Sequence, residues 1–204
     1  MRGPRRKPRA LLIDMDGVLR IFDPAIVNAV ERKYGLSAGT LWHTASRVAP
    51  MHLALTGRIT HDEWMAEVAR ALDAPEAVAE WNRYHGRIDP VVRHVVATVR
   101  AAGYPVALGT NATDRLDSDL AEFGLSDAFD AVVNASVVGY TKPHPSFYAA
   151  AAAALGVPET EILLLDDSPR FVAGARAAGL SAIRYTGHSD LRYVRSAFDL
   201  QAAA

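Results

Sequence analysis

Four short clusters in this 204-residue chain carry side chains that could act together on a substrate. Asp14-Met15-Asp16-Gly17 sets two carboxylates two residues apart before a glycine. On a loop leaving a strand, such a pair can flank one reaction centre, one group attacking while the other manages protons. The same residues would also make an Asx turn with Gly17 at positive φ. Asp166-Asp167 is a second acidic pair, and adjacent anions repel unless a cation or solvent lies between them. With Asp14 they would form a hard-oxygen site suited to Mg²⁺ rather than zinc. Asp167-Ser168 could equally cap a helix starting at Pro169. Lys142 precedes Pro143-His144-Pro145, a stiff setting that gives its ammonium a defined reach toward a nucleophile or a phosphoryl oxygen. Taken alone, it would read as an ordinary surface lysine. Thr110-Asn111 offers a hydroxyl and an amide for an anionic oxygen, or a plain capping turn.

These clusters need elements to position them. Leu11–Ile13, Val106–Leu108, Ala131–Val133, Ile162–Leu165 and Ala182–Tyr185 are short, uniformly apolar runs, as expected of strands buried on both faces of a parallel sheet. Helical patterns lie between them. Asp89-Pro90 reads as an N-cap with Pro at the first helical position, ahead of an apolar stripe at Val92, Val95, Val96 and Val99. Further helices are expected over 113–123, 145–155 and 170–178, each stopped by a glycine. Such alternation predicts a doubly wound, Rossmann-like α/β core, in which ligands bind beyond the carboxyl ends of the strands. Each polar cluster stands at such an end or in the loop after it.

Residues 20–89 read differently. No strand is expected there. Pro24–Tyr34 places Ile26, Val27, Val30 and Tyr34 on one helical face. Thr60-His61-Asp62-Glu63 is a capping box ahead of Trp64, Val68 and Leu72, and Pro75–Tyr84 carries Val78, Trp81 and Tyr84. The predicted organisation is a basic tail at 1–9, an α/β catalytic core of 10–19 and 90–204, and an all-helical insert at 20–89. All three tryptophans fall in the insert.

Composition narrows the function. The chain has no cysteine, which excludes disulfides, thiolate nucleophiles and Cys-ligated zinc. Its formal charge is −1, and no apolar run approaches a membrane span. The expected partner is therefore a small substrate, not nucleic acid or membrane. Five cations crowd residues 1–9, either a solvated tail or an anchor for an acidic partner. The two aspartates that follow speak against a signal peptide. The histidines at 43, 52 and 61 do not share a helical face, so they make a poor metal cluster.

DMDGVL (14–19), LGTNAT (108–113), TKPHPSFY (141–148) and LLLDDSP (163–169) resemble, in order, the four motifs of the haloacid dehalogenase superfamily of hydrolases. The helical insert is similar to the cap carried by its members after the first motif. The resemblance implies that Asp14 is the nucleophile, forming an aspartyl-phosphate. Asp16 would protonate the leaving alcohol and then activate water, while its backbone carbonyl binds Mg²⁺. Neighbouring anions would favour the proton that Asp16 must first carry. Thr110 and Asn111 would bind the phosphoryl group, and Lys142 would balance its charge and that of Asp14. Asp167 would ligate the metal, with Asp166 a direct or indirect partner. Where many members carry a further acid, this chain has Phe171.

The expected function is thus a Mg²⁺-dependent, cytoplasmic phosphatase acting on a small phosphorylated metabolite such as a sugar phosphate, as a monomer or homodimer. A 2-haloacid dehalogenase or a phosphomutase could use the same scaffold. Asp16 argues against the former, since the dehalogenase branch typically lacks this acid. A non-enzymatic phospho-acceptor or binding protein is the remaining alternative. Arg20, Trp42, His43 and Arg47 are expected to select the substrate from the cap.

Overall fold

The computed structural model describes residues 7–48 and 50–200, except for the side chain of Val48. The chain begins with β1 (Ala10–Ile13) and reaches β2 (Arg20–Ile21) after a tight loop. Five helices follow: α1 (Pro24–Lys33), α2 (Thr40–His43), α3 (Met51–Leu55), α4 (His61–Leu72) and α5 (Pro75–Asn82). A π-helical turn at Thr44–Val48 continues α2. Then come β3 (Arg87–Ile88), α6 (Pro90–Ala101), β4 (Val106–Thr110), α7 (Leu116–Glu122), β5 (Ala131–Asn134) and α8 (Ala135–Val138). The chain finishes with α9 (Pro145–Leu155), β6 (Ile162–Asp166), α10 (Pro169–Ala177), β7 (Ser181–Arg184) and α11 (Leu191–Ala197).

Five strands form one parallel sheet in the order β5-β4-β1-β6-β7. Their uniform apolarity has a direct cause, because both faces are covered. Leu11, Ile13, Val106, Leu108, Leu163 and Leu165 pack into a cluster with the α6 valines, Leu191 and Val194. Their strand neighbours Ala10, Leu12, Ala107, Ile162 and Leu164 pack on the other face with Phe147, Tyr148 and Ala151 of α9 and Ala175 of α10. Alternate residues point to opposite faces, and each fully buried Leu or Ile contributes about 1.5–3 kcal/mol. The expected α6 stripe of four valines is wholly buried, and Asp89 caps that helix by accepting from Val91 N and Val92 N. The alternation thus gives the doubly wound α/β fold.

The helices between β2 and β3 gather a separate cluster: Val30, Leu41, Ala45, Ala54, Trp64, Met65, Val68 and Val78. The capping box at Thr60 and Glu63 forms as expected. Two expectations need correction. Ile26 is exposed, so the α1 apolar face is narrower than its sequence spacing implies. The insert also begins and ends in strand after all. Arg20–Ile21 pairs antiparallel with Arg87–Ile88, a ribbon too short to leave a periodic signature.

At the amino terminus, Met1–Arg6 lie outside the described residues. Lys7 pairs with Asp199, and Arg9 with Glu161 through both side chain and backbone. The last part of the basic stretch is therefore tied to the core.

Candidate active site

Parallel register assembles the site. Ile13 is paired with Leu108 on one side and Leu165 on the other. One residue further, Asp14 N donates to Leu165 O, which sets Asp14 beside Asp166 at the carboxyl edge of the sheet. Thr110 ends β4 at the same edge with its side chain buried. Lys142 reaches in from the loop after β5 and α8. Its Nζ lies 2.8 Å from Asp14 Oδ1 and 2.7 Å from Asp166 Oδ2. All three groups are buried, so this ion pair is shielded from water.

Close backbone approach fixes two parts of the site. Asp167 lies directly over Gly17, where a Cβ would come 2.3 Å from its Oδ2. Gly17 also has φ of 83°, so both conformation and space call for glycine there. Gly174 of α10 leaves room for Pro143, since a Cβ there would come 2.3 Å from Pro143 Cβ. The stiff segment after Lys142 is thereby held against a helix. Phe171, where many chains with these motifs carry an acid, places its ring 5.2 Å from Lys142 Nζ. An aromatic face next to a buried ammonium adds a favourable cation–π contact.

Asp14, Asp166 and Asp167 each offer an oxygen, and these oxygens lie within 4.8 Å of one another. Asp166 is also oriented by Ser168 N, which donates to its Oδ1 at 2.9 Å. When all three acids are ionised, one ammonium against three carboxylates leaves two negative charges unbalanced. Burial pushes the Asp14 carboxyl well up; Lys142 opposes the shift and Asp166 adds to it. Burial and Asp166 push Asp167 up as well. Burial alone would lower Lys142, but the two carboxylates outweigh it and hold the ammonium charged. The donor set and its charge suit a hard divalent cation such as Mg²⁺.

Three residues sit otherwise than the sequence implied. The Asp16 carboxylate is outside the three-acid group. Beside the anions Asp14 and Asp167 it also meets Arg20, whose Nε donates to Oδ1 at 2.6 Å and whose NH2 donates to Oδ2 at 3.1 Å. Arg20 is buried in the ribbon and does not project from the insert as a substrate selector. Asn111 turns both ends of its amide to the Lys142 backbone: Oδ1 accepts from Lys142 N at 2.8 Å, and Nδ2 donates to Lys142 O at 3.2 Å. It holds the lysine loop, where a direct phosphate contact was expected. Trp42, His43 and Arg47 are exposed on the insert.

The insert rests on the loop before α7 and on α8. His61 N donates to Asp114 Oδ1 at 2.8 Å, and Gly57 packs against Ser136 O. On the other side of the ribbon, a cleft of about 590 Å³ opens beside Asp167 and Gly17, bounded by Ile21, Arg87, Arg184 and His188.

This fold and site define a class. The family model of haloacid dehalogenase-like hydrolases matches residues 8–179. The chain belongs to that family and is a hydrolase. Among its relatives is a phosphoglycolate phosphatase of Cupriavidus necator, 32% identical, with the match covering 86% of this chain and 80% of that one. A (S)-2-haloacid dehalogenase of Xanthobacter autotrophicus is 29% identical over 86% of this chain and 74% of its own. A HAD family enzyme of Bacteroides thetaiotaomicron, solved with magnesium and inorganic phosphate, shares the fold. Its TM-score is 0.75 at 20% identity, over 92% of this chain and 98% of that one.

Proposed function

We propose that this hydrolase is a Mg²⁺-dependent phosphatase of a small phosphorylated metabolite. The observation that carries the reading is buried Lys142 bridging buried Asp14 and Asp166 in a three-acid cluster that one lysine leaves short of positive charge. Phosphoryl transfer needs such fixed positive charge and little else beyond in-line positioning. The phosphatases among the relatives support the same chemistry.

In this reading a carboxylate oxygen of Asp14 attacks phosphorus, and the bond from phosphorus to the ester oxygen breaks. Asp16 delivers a proton to that departing oxygen, releasing an alcohol. Asp16 then takes a proton from water, whose oxygen attacks phosphorus. Inorganic phosphate leaves, and Asp14 is restored as a carboxylate. Thr110 binds a phosphoryl oxygen. Lys142 holds Asp14 in place and offsets the charge it shares with the phosphoryl group. Asp14, Asp167 and Asp166, with the Asp16 carbonyl, would hold Mg²⁺, which when bound supplies charge to the transferring oxygens. Residues 20–89 act as the cap over this edge, and Trp42, His43 and Arg47 are its candidates for choosing the leaving group.

The test is phosphate release from a panel of sugar phosphates, hexitol phosphates and phosphoglycolate. It is run with Mg²⁺, with chelator, and with Asp14→Asn. Release that needs Mg²⁺ and falls on the order of a thousand-fold or more in the variant is expected. Release of halide from a 2-haloacid, without phosphate release, would replace this reading with the dehalogenase.

A further inference from the structure

Arg20 is a buried cation that the proposed reaction does not use. All three of its guanidinium nitrogens are engaged. Nε and NH2 fork onto the two oxygens of Asp16, and NH1 donates to Asp119 Oδ2 at 2.6 Å. Asp119 is itself buried on α7. Its other oxygen accepts from Arg115 Nε at 3.0 Å. Arg115 NH1 then crosses to the helical insert, donating to Asn82 Oδ1 at 2.6 Å and Asn82 O at 3.0 Å. His61, at the start of α4, lies 2.7 Å from the same Asn82 oxygen through Nε2 and 3.1 Å from Thr113 Oγ1 through Nδ1. A continuous row of charge-assisted hydrogen bonds therefore runs from the insert, through Arg115, Asp119 and Arg20, to Asp16.

We propose that Arg20, backed by Asp119, is the positioning residue that aims the Asp16 carboxylate and ties that aim to the seating of the insert. The inference rests on the phosphatase reading and extends it. Three features carry it. The Asp16 side chain is 44% exposed, so only Arg20 restrains it among the described contacts. Arg20 belongs to the ribbon that leads into the insert, and its backbone is pinned to the catalytic loop: its N donates to Met15 O and its O accepts from Gly17 N. Finally, fork and substrate need the same oxygens. One arm has to yield when the leaving oxygen arrives, and the NH1–Asp119 bond keeps Arg20 in place while it does.

Two esters separate positioning from mere support. p-Nitrophenyl phosphate expels a stable phenolate and has little need of a proton donor, whereas n-butyl phosphate expels an alkoxide that must be protonated. The quantity to compare is kcat/KM, which ends at departure of the leaving group. For Arg20→Met we expect the alkyl ester to lose on the order of 100-fold and the aryl ester about tenfold less than that. Arg20→Lys keeps the charge but not the fork, so it should restore little of the loss. Asp119→Asn leaves Arg20 present but poorly backed, and should shift the ratio of the two esters in the same direction by a smaller factor. It also provides a readout if Arg20→Met does not fold. Equal losses on both esters, or full rescue by lysine, would overturn the role of Arg20 and leave the phosphatase reading standing. A parent protein that releases phosphate from neither ester nor the metabolite panel would overturn both.

Discussion

In the core, the reactive side chains come from strands bonded to one another and packed on both faces. In the insert, helices of 4 to 12 residues surround one small cluster and join the core through a ribbon of two residue pairs. Asp14, Thr110 and Asp166 thus inherit the rigidity of a sheet, which in-line transfer requires. The insert has its own small cluster and a narrow covalent junction, which would suit the proposed part of admitting and selecting leaving groups. Polar contacts at His61, Asn82 and Arg115 join the two regions, beside the close approach of Gly57 to Ser136.

This contrast can be broken at either end. Lys142→Met should have the largest effect on stability, because it strands two buried carboxylates. A loss of about 3–5 kcal/mol is expected by urea denaturation, with activity lost as well. If stability were unchanged, Asp14 and Asp166 would have to be solvated or protonated, and the charge argument for the site would fail. Val68→Ala, at the centre of the insert cluster, should cost about 2 kcal/mol. Tryptophan fluorescence reads the insert alone, since Trp42, Trp64 and Trp81 all lie there, while far-UV circular dichroism reads the whole chain. The fluorescence midpoint should fall further than the dichroism midpoint. Equal falls would mean that core and insert unfold as one unit. Thr60→Ala, which removes the capping box of α4, should lower the fluorescence midpoint by the equivalent of about 1 kcal/mol and leave phosphate release unchanged.

The same contrast explains what could be read from the chain alone. Five strands and their polar ends stood out because burial on two faces demands unbroken apolar runs, and the runs stop where the sheet meets solvent and substrate. Asp14, Lys142, Asp166 and Asp167 could be picked out for that reason. Arg20 stands out only as a substrate selector of the insert, because a cation four residues beyond an acid reads as exposed until topology brings Asp119 to it from 99 positions away. Asn111 was placed correctly at its strand end, but the direction of its amide depends on where the Lys142 loop passes. The stretch 40–55 was hidden differently. Its helices and π turn are held by burial of Leu41, Ala45 and Ala54, and none is long enough to show a period.

The ribbon of Arg20–Ile21 and Arg87–Ile88 has one more consequence. It brings the outgoing and returning chain side by side, and Asp89 N donates to Leu19 O at their base. The junction itself therefore asks only that these two crossings lie side by side. A module of another size would meet the same base, but it would have to supply its own partner for Arg115 where Asn82 now stands, because the support of Arg20 and Asp16 passes through that contact.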